Sequence, residues 1–208
     1  TNRPDVGVFS LNANYGLSAI SKSSNVDISD FISIKEIILN KSIDMVLVGP
    51  EMPLINGITD FINNDPDLKH INVIGPSKRG SMLEGSKEFA KDFMNKYRIP
   101  TASYKSFDSS TFSEGVDFIK KNNTPFVLKA DGPAAGKGVL IVDNEEEAIK
   151  NLEDMLLNSK FGKSSEKVVI EEFLDGIEMS CFVLFDGLNY KILPYAKDYK
   201  RIGEGDKG

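Results

Sequence analysis

Residues 125–142 read Pro-Phe-Val-Leu-Lys-Ala-Asp-Gly-Pro-Ala-Ala-Gly-Lys-Gly-Val-Leu-Ile-Val, a run of glycine, alanine and lysine between two short apolar segments. Apolar segments of this length bounded by turn residues predict buried strands, and the glycine cluster predicts a loop between them. Small residues let backbone N–H groups approach phosphate oxygens closely, and Lys137 adds a positive charge. The pattern indicates a phosphate-binding loop, and a plain flexible hairpin turn is the alternative.

Two better-known phosphate loops do not fit this stretch. A P-loop needs four residues between its glycines and a Ser or Thr after the Lys, whereas three residues separate Gly132 from Gly136 and Gly138 follows Lys137. A dinucleotide-binding fingerprint needs a helix after the loop, and here a second strand is predicted. The loop therefore favours neither a P-loop NTPase nor a dehydrogenase.

Charged residues flank this loop in the sequence. Lys129 ends the strand that leads into the loop, where an ammonium group can neutralise a phosphate; the alternative is an edge-strand lysine that reaches into solvent. Further on, residues 171–178 read Glu-Glu-Phe-Leu-Asp-Gly-Ile-Glu after a predicted strand. An extended segment can offer backbone groups to an adenine edge and a carboxylate to ribose hydroxyls, although an acidic turn would look the same.

The secondary-structure pattern changes between residues 76 and 100. Before this region, strands alternate with helices, which is typical of a parallel sheet; strands are expected at 6–11, 43–48 and 71–74, and helices at 29–40 and around 58–62. A helix over 86–97 is expected to start at Ser86, to stop at Pro100 and to expose Lys91, which lies nearly opposite its apolar face. Helices at 112–121 and 145–157 follow, with strands at 125–130, 139–142 and 168–173 and an antiparallel pair at 179–185 and 190–194. The fold class is therefore α/β.

Composition excludes several classes of protein. The 208 residues are 40% hydrophobic and 27% charged, with a formal net charge of −6, so binding to nucleic acid through phosphate neutralisation is disfavoured. The single cysteine, Cys181, and the single histidine, His70, supply neither a disulfide nor a Cys/His zinc site. Cys181 is expected to be a small buried hydrophobe. No apolar run approaches the ~20 residues of a membrane span, and no signal peptide is recognisable, so we expect a cytoplasmic protein.

The order of these motifs carries a resemblance to a known family. Lys87, Lys129, the glycine loop between strands and the segment 171–178 follow one another as in the ATP-grasp superfamily. More narrowly, the amino-acid sequences of several stretches resemble those of the phosphoribosylamine–glycine ligase family. The matching stretches are 48–54, 83–93, 98–102, 127–139, 171–178 and 198–208. The resemblance covers about residues 43–208, and the first sixteen residues match poorly.

The resemblance implies a fold and an activity. It implies an ATP-grasp fold preceded by a Rossmann-like parallel-sheet domain, both incomplete, with domains at 1–84 and 85–208 and a mobile lid at about 102–172. Family members use ATP and Mg²⁺ to join glycine to 5-phosphoribosylamine through a glycyl phosphate, which forms glycinamide ribonucleotide in purine biosynthesis. Alternatives that stay open are another ATP-grasp carboxylate–amine ligase and a catalytically inactive ATP-binding module.

Roles for individual residues also come from the resemblance. The residues that would bind ATP are Lys87, Lys129, Gly132, Gly136, Lys137, Gly138, Glu171, Glu172, Phe173, Leu174 and Glu178. Those that would contact the acceptor substrate are Gly49, Pro50, Glu51 and Asp198. Those that would act at the acyl phosphate are Lys200, Arg201 and Asp206, although basic residues after a strand are often simply solvated.

The chain also departs from the family. The family's Mg²⁺ ligands, a late Glu and Asn, have no counterpart here, so residues 1–208 are expected to be part of a longer enzyme. We expect that enzyme to be a monomer. We expect glycine and 5-phosphoribosylamine as partners, and neither nucleic acid nor membrane. We also expect residues 1–208 alone to be inactive, and turnover by that polypeptide would contradict this.

Overall fold

The computed structural model describes residues 5–134, 137–199 and 203–204. Four residues with expected roles, Gly136, Lys200, Arg201 and Asp206, lie outside the described residues, so their roles stay predictions. The chain forms two compact units that divide between Glu172 and Phe173. The expected domain boundary at residues 84 and 85 and the expected lid at 102–172 stay predictions.

Two short parallel strand pairs open the first unit. Strand β1 pairs with β2, and β3 pairs with β4, as the alternating pattern predicts. The strands are β1 (Phe9–Leu11), β2 (Lys22–Ser24), β3 (Met45–Leu47) and β4 (Asn72–Ile74). The helices between and after them are α1 (Tyr15–Ser18), α2 (Phe31–Asn40), α3 (Glu51–Asn56), α4 (Ile58–Asn64) and α5 (Lys78–Gly85).

Helix α2 shows how the sequence builds this part. The carboxylate of Asp30 accepts hydrogen bonds from the N–H groups of Ile32 and Ser33, which fixes the first turn. Ile34 and Ile38 are one helical turn apart, so both face inward, and each is 4% exposed. They pack with apolar side chains of α4 and of the chain that leads to β4 into one core cluster.

A four-stranded antiparallel sheet forms the rest of the first unit, with strand order β5-β8-β6-β7. Strands β6 and β8 are therefore the inner strands. The strands of this sheet are β5 (Tyr104–Asp108), β6 (Phe126–Ala130), β7 (Val139–Val142) and β8 (Lys167–Glu172). Helix α6 (Lys87–Lys96) precedes them, and α7 (Phe112–Lys121) and α8 (Glu145–Leu156) lie between them in the sequence.

The two faces of this sheet differ. On one face Leu128 and Ile170, both fully buried, pack against Ile119 of α7 and Leu152 of α8. Side chains alternate along a strand, so Lys129 and Glu171 project from the opposite face. Burial of each large aliphatic side chain stabilises the fold by about 1.5–3 kcal/mol. The face covered by α7 and α8 thus anchors the sheet, and the opposite face carries the charged groups of Lys129 and Glu171.

The second unit consists of two short antiparallel strand pairs, β9 with β12 and β10 with β11. The strands are β9 (Met179–Ser180), β10 (Val183–Phe185), β11 (Tyr190–Ile192) and β12 (Ala196–Lys197). The carboxylate of Asp186 accepts from the N–H groups of Leu188 and Asn189, and Gly187 has φ +100°, so the predicted turn is present. The expected burial of Cys181 is wrong: it lies between β9 and β10 and is exposed.

Across the described ranges, no helix combines the length and the apolar character that a membrane span requires.

Candidate functional site

The register of two inner strands brings Lys129 and Glu171 together. Val127 of β6 pairs with Glu171 of β8, so Lys129, two residues on, is a diagonal neighbour on the same face. The Lys129 ammonium lies 2.9 Å from Glu171 Oε2. Because β6 is an inner strand, the edge-strand alternative for Lys129 is wrong. Its side chain is 28% exposed, whereas that of Glu171 is 5% exposed.

Helix α6 is tied to the start of the glycine loop. The Ser86 hydroxyl accepts from the N–H of Phe89, which makes Ser86 the N-cap that the sequence predicts. The carboxylate of Asp131 accepts from the N–H of Glu88 at 2.8 Å and from the Ser86 hydroxyl at 3.1 Å. The first turn of α6 is therefore held against the residue that follows β6, although the two are far apart in sequence.

Lys87, the first residue of α6, reaches the same loop. Its ammonium lies 3.4 Å from the carbonyl oxygens of both Asp131 and Gly132. Burial lowers the pKa of Lys87; the carboxylates of Asp131 and Glu84 oppose this shift, and the neighbouring charge of Lys129 adds to it. The charge of Lys87 thus lies near that of Lys129, which is itself paired with Glu171.

The expectation that Lys91 is a surface residue is wrong. Lys91 is 6% exposed, and its ammonium lies 3.0 Å from Glu171 Oε2. Helix α6 packs Ala90 and Lys91 inward, whereas Phe89 is 39% exposed. Lys91 can be buried here because the surface below the helix carries a buried carboxylate.

The glycine loop packs against the 3₁₀ turn at Gly162–Ser165. The N–H of Gly132 donates to the carbonyl of Ser164 at 3.1 Å, and the Ser164 hydroxyl donates to the carbonyl of Pro133. At the other end, the carbonyl of Gly138 accepts from the N–H of Ala130 at 2.7 Å. A side chain at Gly138 would meet neighbouring atoms at 2.7 Å, so the loop closes only with glycine there. Lys137 is exposed on the loop.

A pocket of about 190 Å³ lies between α6 and the face of the sheet that carries Lys129 and Glu171. Three lysines and two glutamates line it, which leaves one net positive charge, and three apolar side chains complete it. The lining residues are Lys87, Lys91, Lys129, Glu84, Glu171, Leu83, Ala90 and Met94. A larger, open groove of about 880 Å³ runs beside β5 and the segment before it. The smaller pocket is the better candidate because it contains the lysines predicted to face phosphates.

Three residues that follow β3 have an expected role in acceptor binding. Pro50 is the N-cap of α3, and Glu51 lies in that helix's first turn, exposed to solvent. Gly49 and Gly75 follow two paired parallel strands, β3 and β4. Carboxyl ends of parallel strands are where ligands bind in open α/β sheets. Acceptor binding by Gly49, Pro50 and Glu51 stays a prediction.

Glu172 contributes to the first unit in another way. Its Oε1 accepts from the N–H of Ser103 at 3.0 Å and so ties the end of β8 to the segment that leads into β5. This hydrogen bond holds the strand end, and the expected role of Glu172 in ATP binding stays a prediction.

The remaining expected residues lie in the second unit. Phe173 and Leu174 are exposed at its start. The N–H of Asp198 donates to the carbonyl of Glu178 at 3.1 Å, and Asp198 Oδ2 accepts from the Ser180 hydroxyl at 2.7 Å. These contacts make Glu178 and Asp198 neighbours within that unit. Their expected roles at the ribose and the acceptor stay predictions.

The described residues do not supply a site for a metal ion. Over 5–134, 137–199 and 203–204, no group of three His, Cys, Asp or Glu side chains is close enough to hold one. The carboxylates near the lysines, Glu84 and Glu171, do not form such a set. Among the described residues, therefore, no carboxylate set fits Mg²⁺.

The fold and the site together define a class. An antiparallel sheet with a glycine-rich loop between two strands, a lysine at the loop and a lysine on a facing helix are features of the ATP-grasp fold. Comparison with known proteins agrees. The model of the phosphoribosylglycinamide synthetase ATP-grasp (A) domain matches residues 85–208, and that of the N domain of the same enzyme matches residues 2–84. The chain belongs to the phosphoribosylglycinamide synthetase family.

Individual relatives show the same likeness. The chain is 40% identical over 203 residues to a phosphoribosylamine–glycine ligase from Haemophilus influenzae, which covers 97% of this chain and 46% of that protein. The crystal structure of a phosphoribosylamine–glycine ligase from Thermotoga maritima superposes with a TM-score of 0.77 at 33% identity, over 98% of this chain and 47% of that one. A D-alanine–D-alanine ligase from Bacillus anthracis complexed with ATP shares the fold alone, with a TM-score of 0.59 at 20% identity, over 91% of this chain and 64% of that one.

Two consequences follow from the extent of these matches. The chain spans about half the length of the phosphoribosylamine–glycine ligases from Haemophilus influenzae and Thermotoga maritima. It spans about a quarter of a bifunctional purine biosynthetic protein from Pichia angusta. The similarity also begins near the start of the chain, so the expectation that it covers only residues 43–208 is too narrow. The opening segment thus belongs to the part of the chain that matches the family.

Proposed function

We propose that the chain is the nucleotide-binding portion of an enzyme that joins glycine to 5-phosphoribosylamine at the expense of ATP. The glycine carboxylate attacks the γ-phosphorus of ATP, and ADP leaves. The amine of 5-phosphoribosylamine then attacks the carbonyl carbon of the glycyl phosphate, and inorganic phosphate leaves. The product is glycinamide ribonucleotide, an intermediate of purine biosynthesis.

The observation that carries this proposal is the convergence of Lys87 and Lys129 on one pocket beside the glycine loop. A triphosphate brings several negative charges, and a pocket with surplus positive charge neutralises them. Phosphoryl transfer needs little covalent chemistry from the protein, since positioning and charge neutralisation do most of the work. The absence of a cysteine or histidine from this pocket's lining agrees with such chemistry.

Each part of the site has a task in this scheme. The ammonium groups of Lys87 and Lys129 hold the phosphates, and backbone N–H groups of the glycine loop cover them. Glu171 lies at the pocket wall, and the segment that follows β8 supplies the adenine-binding backbone. Lys200, Arg201 and Asp206 act at the acyl phosphate. Mg²⁺ held by ligands other than the described residues, a monomeric state and a cytoplasmic location belong to the same proposal.

The test measures ATP binding and turnover by the complete polypeptide that carries these residues. Replacement of Lys129 or Lys87 with Met removes one charge-assisted hydrogen bond to phosphate, which is worth about 1.5–3 kcal/mol. We therefore expect the Kd of ATP to rise by about 10- to 150-fold in isothermal titration calorimetry. Lys150→Met, on the exposed side of α8, is the matched control and should bind like the wild type.

Release of ADP then separates the possible activities. With glycine and 5-phosphoribosylamine both present, we expect ADP release, and other amino acids should give none. ADP release with a different carboxylate and amine would assign the chain to another ATP-grasp ligase. ATP binding without any ADP release would leave an inactive nucleotide-binding module. Wild-type affinity in Lys129→Met and Lys87→Met together would refute the site itself.

A further inference from the structure

Lys91 is held more tightly than any role at the surface would require. Its ammonium donates to Thr101 Oγ1 at 2.8 Å and to the carbonyl of Ala102 at 3.2 Å, and it lies 3.0 Å from Glu171 Oε2. Two hydrogen bonds and one ion pair therefore hold this ammonium group. The ring of Tyr104 covers a further side, with its centroid 5.5 Å from the ammonium.

Lys129 binds the same oxygen of Glu171 but is held differently. Its side chain is 28% exposed, compared with 8% for Lys91. Within the described part of the chain, Glu171 is its one hydrogen-bond partner, at 2.9 Å. One lysine is therefore fixed by three groups, and the other is held by a single contact at the edge of the pocket.

This asymmetry matters because Glu171 is buried. A buried carboxylate that loses its partner is strongly destabilising. If Lys129 were its only counter-ion, Lys129 could not turn towards a phosphate without leaving that charge uncompensated. With Lys91 in place, the carboxylate keeps a partner while Lys129 moves.

We propose that Lys91 is a positioning residue, the fixed counter-ion of Glu171 that releases Lys129 to the phosphates of the nucleotide. This inference rests on the proposed function, because it assumes that the pocket binds ATP. Lys91 does not itself contact the ligand in this scheme. It acts by setting which charge Lys129 neutralises.

The second oxygen of Glu171 supports the same assignment. Glu171 Oε1 is buried and has no hydrogen-bond partner within the described residues. Two ammonium groups on Oε2 fix the rotation of the carboxylate, so Oε1 keeps one direction. When Lys129 leaves, Lys91 alone maintains that direction, and Oε1 stays available to an N–H or O–H donor of a ligand.

The test compares ATP with adenosine as ligands of the complete polypeptide. In Lys91→Met, Lys129 must stay on Glu171, so we expect the Kd of ATP to rise at least tenfold while that of adenosine changes less than threefold. In the double variant Lys91→Met/Glu171→Gln the buried charge is gone, Lys129 is released, and ATP affinity should recover by at least threefold. Lys96→Met, exposed on the same helix, is the control and should bind both ligands like the wild type.

Other outcomes would overturn the inference. A purely structural role would weaken ATP and adenosine binding equally, with a lower Tm and no recovery in the double variant. Wild-type ATP affinity in folded Lys91→Met would also refute it, while the wild-type protein would still support the proposed function. If Lys91→Met does not fold, Thr101→Val removes one of the groups that fix Lys91 and should weaken ATP binding more than adenosine binding; an equal effect would refute the inference. Failure of the wild type to bind ATP would overturn both proposals.

Discussion

Gly138 closes the glycine loop at a point where no side chain fits. A Cβ built there lies 2.7 Å from the Cβ of Ala134 and 3.0 Å from the Cβ of Ala130. Ordinary van der Waals contact begins at 3.4 Å, so the first of these separations must grow by 0.7 Å. Ala130 is fully buried on an inner strand and cannot yield, whereas Ala134 is only partly buried. Gly138→Ala should therefore displace the loop rather than the sheet.

The magnitude follows from the cost of overpacking, which is about 1–3 kcal/mol for an added methylene-sized group. If the closed loop is the form that covers the phosphates, overpacking makes the free energy of ATP binding less favourable by this amount in the variant. The Kd of ATP should then rise by about 5- to 150-fold. The Tm should fall by less than it does in Gly115→Ala, which is described below, because the loop can move into solvent.

The assay is calorimetric titration of the complete polypeptide with a non-hydrolysable ATP analogue, together with thermal unfolding. Gly7→Ala is the matched control, since a Cβ at Gly7 meets nothing within 4 Å. We expect the control to leave both the Kd and the Tm unchanged. An affinity of Gly138→Ala within twofold of the wild type would refute the link between loop closure and nucleotide binding.

Two remaining predictions concern the sheet and its helices. In Gly115→Ala, the helix propensity improves by about 1 kcal/mol, but the new Cβ lies 2.8 Å from Cδ2 of the fully buried Leu152. Overpacking costs about 1–3 kcal/mol, so the Tm should fall. A raised Tm in thermal unfolding would contradict this. Burial, with the hydrogen bond to Asp92, raises the pKa of Tyr104 to about 12 from 10.0. The stability from the protonated phenol is present below pH 10 and is lost as the pH rises through 12. Denaturant unfolding over this window should show a steeper loss for the wild type than for Tyr104→Phe, and equal slopes would count against the shift.

Local signals in the sequence predicted many of the elements. Ser86 has the hydroxyl and the spacing of an N-cap, and it is one. The helix at Phe112–Lys121 and the strand at Val139–Val142 have the predicted bounds. These features depend on hydrogen bonds and periodicity within a few residues, so a single segment contains the information that determines them.

Elements whose stability comes from distant partners were missed. Strand β5, Tyr-Lys-Ser-Phe-Asp at Tyr104–Asp108, is too polar to be recognised alone, and it is a strand because it pairs with β8. Helix α5 contains two glycines and few apolar residues, and the Ser77 cap and packing on α3 support it. A pattern within one segment cannot show which surface the segment will meet.

The amino-acid sequence by itself determined the candidate phosphate-binding groups, which are Lys87, Lys129 and a glycine loop between two strands. Their order resembles that of the family to which the chain belongs. Only the tertiary structure decided that Lys91 is buried. Helical periodicity assigns an isolated lysine to solvent, because transfer of an unpaired ammonium into the interior is costly. That cost is removed when strand pairing brings Glu171 beneath α6, and strand register depends on residues far apart in the chain.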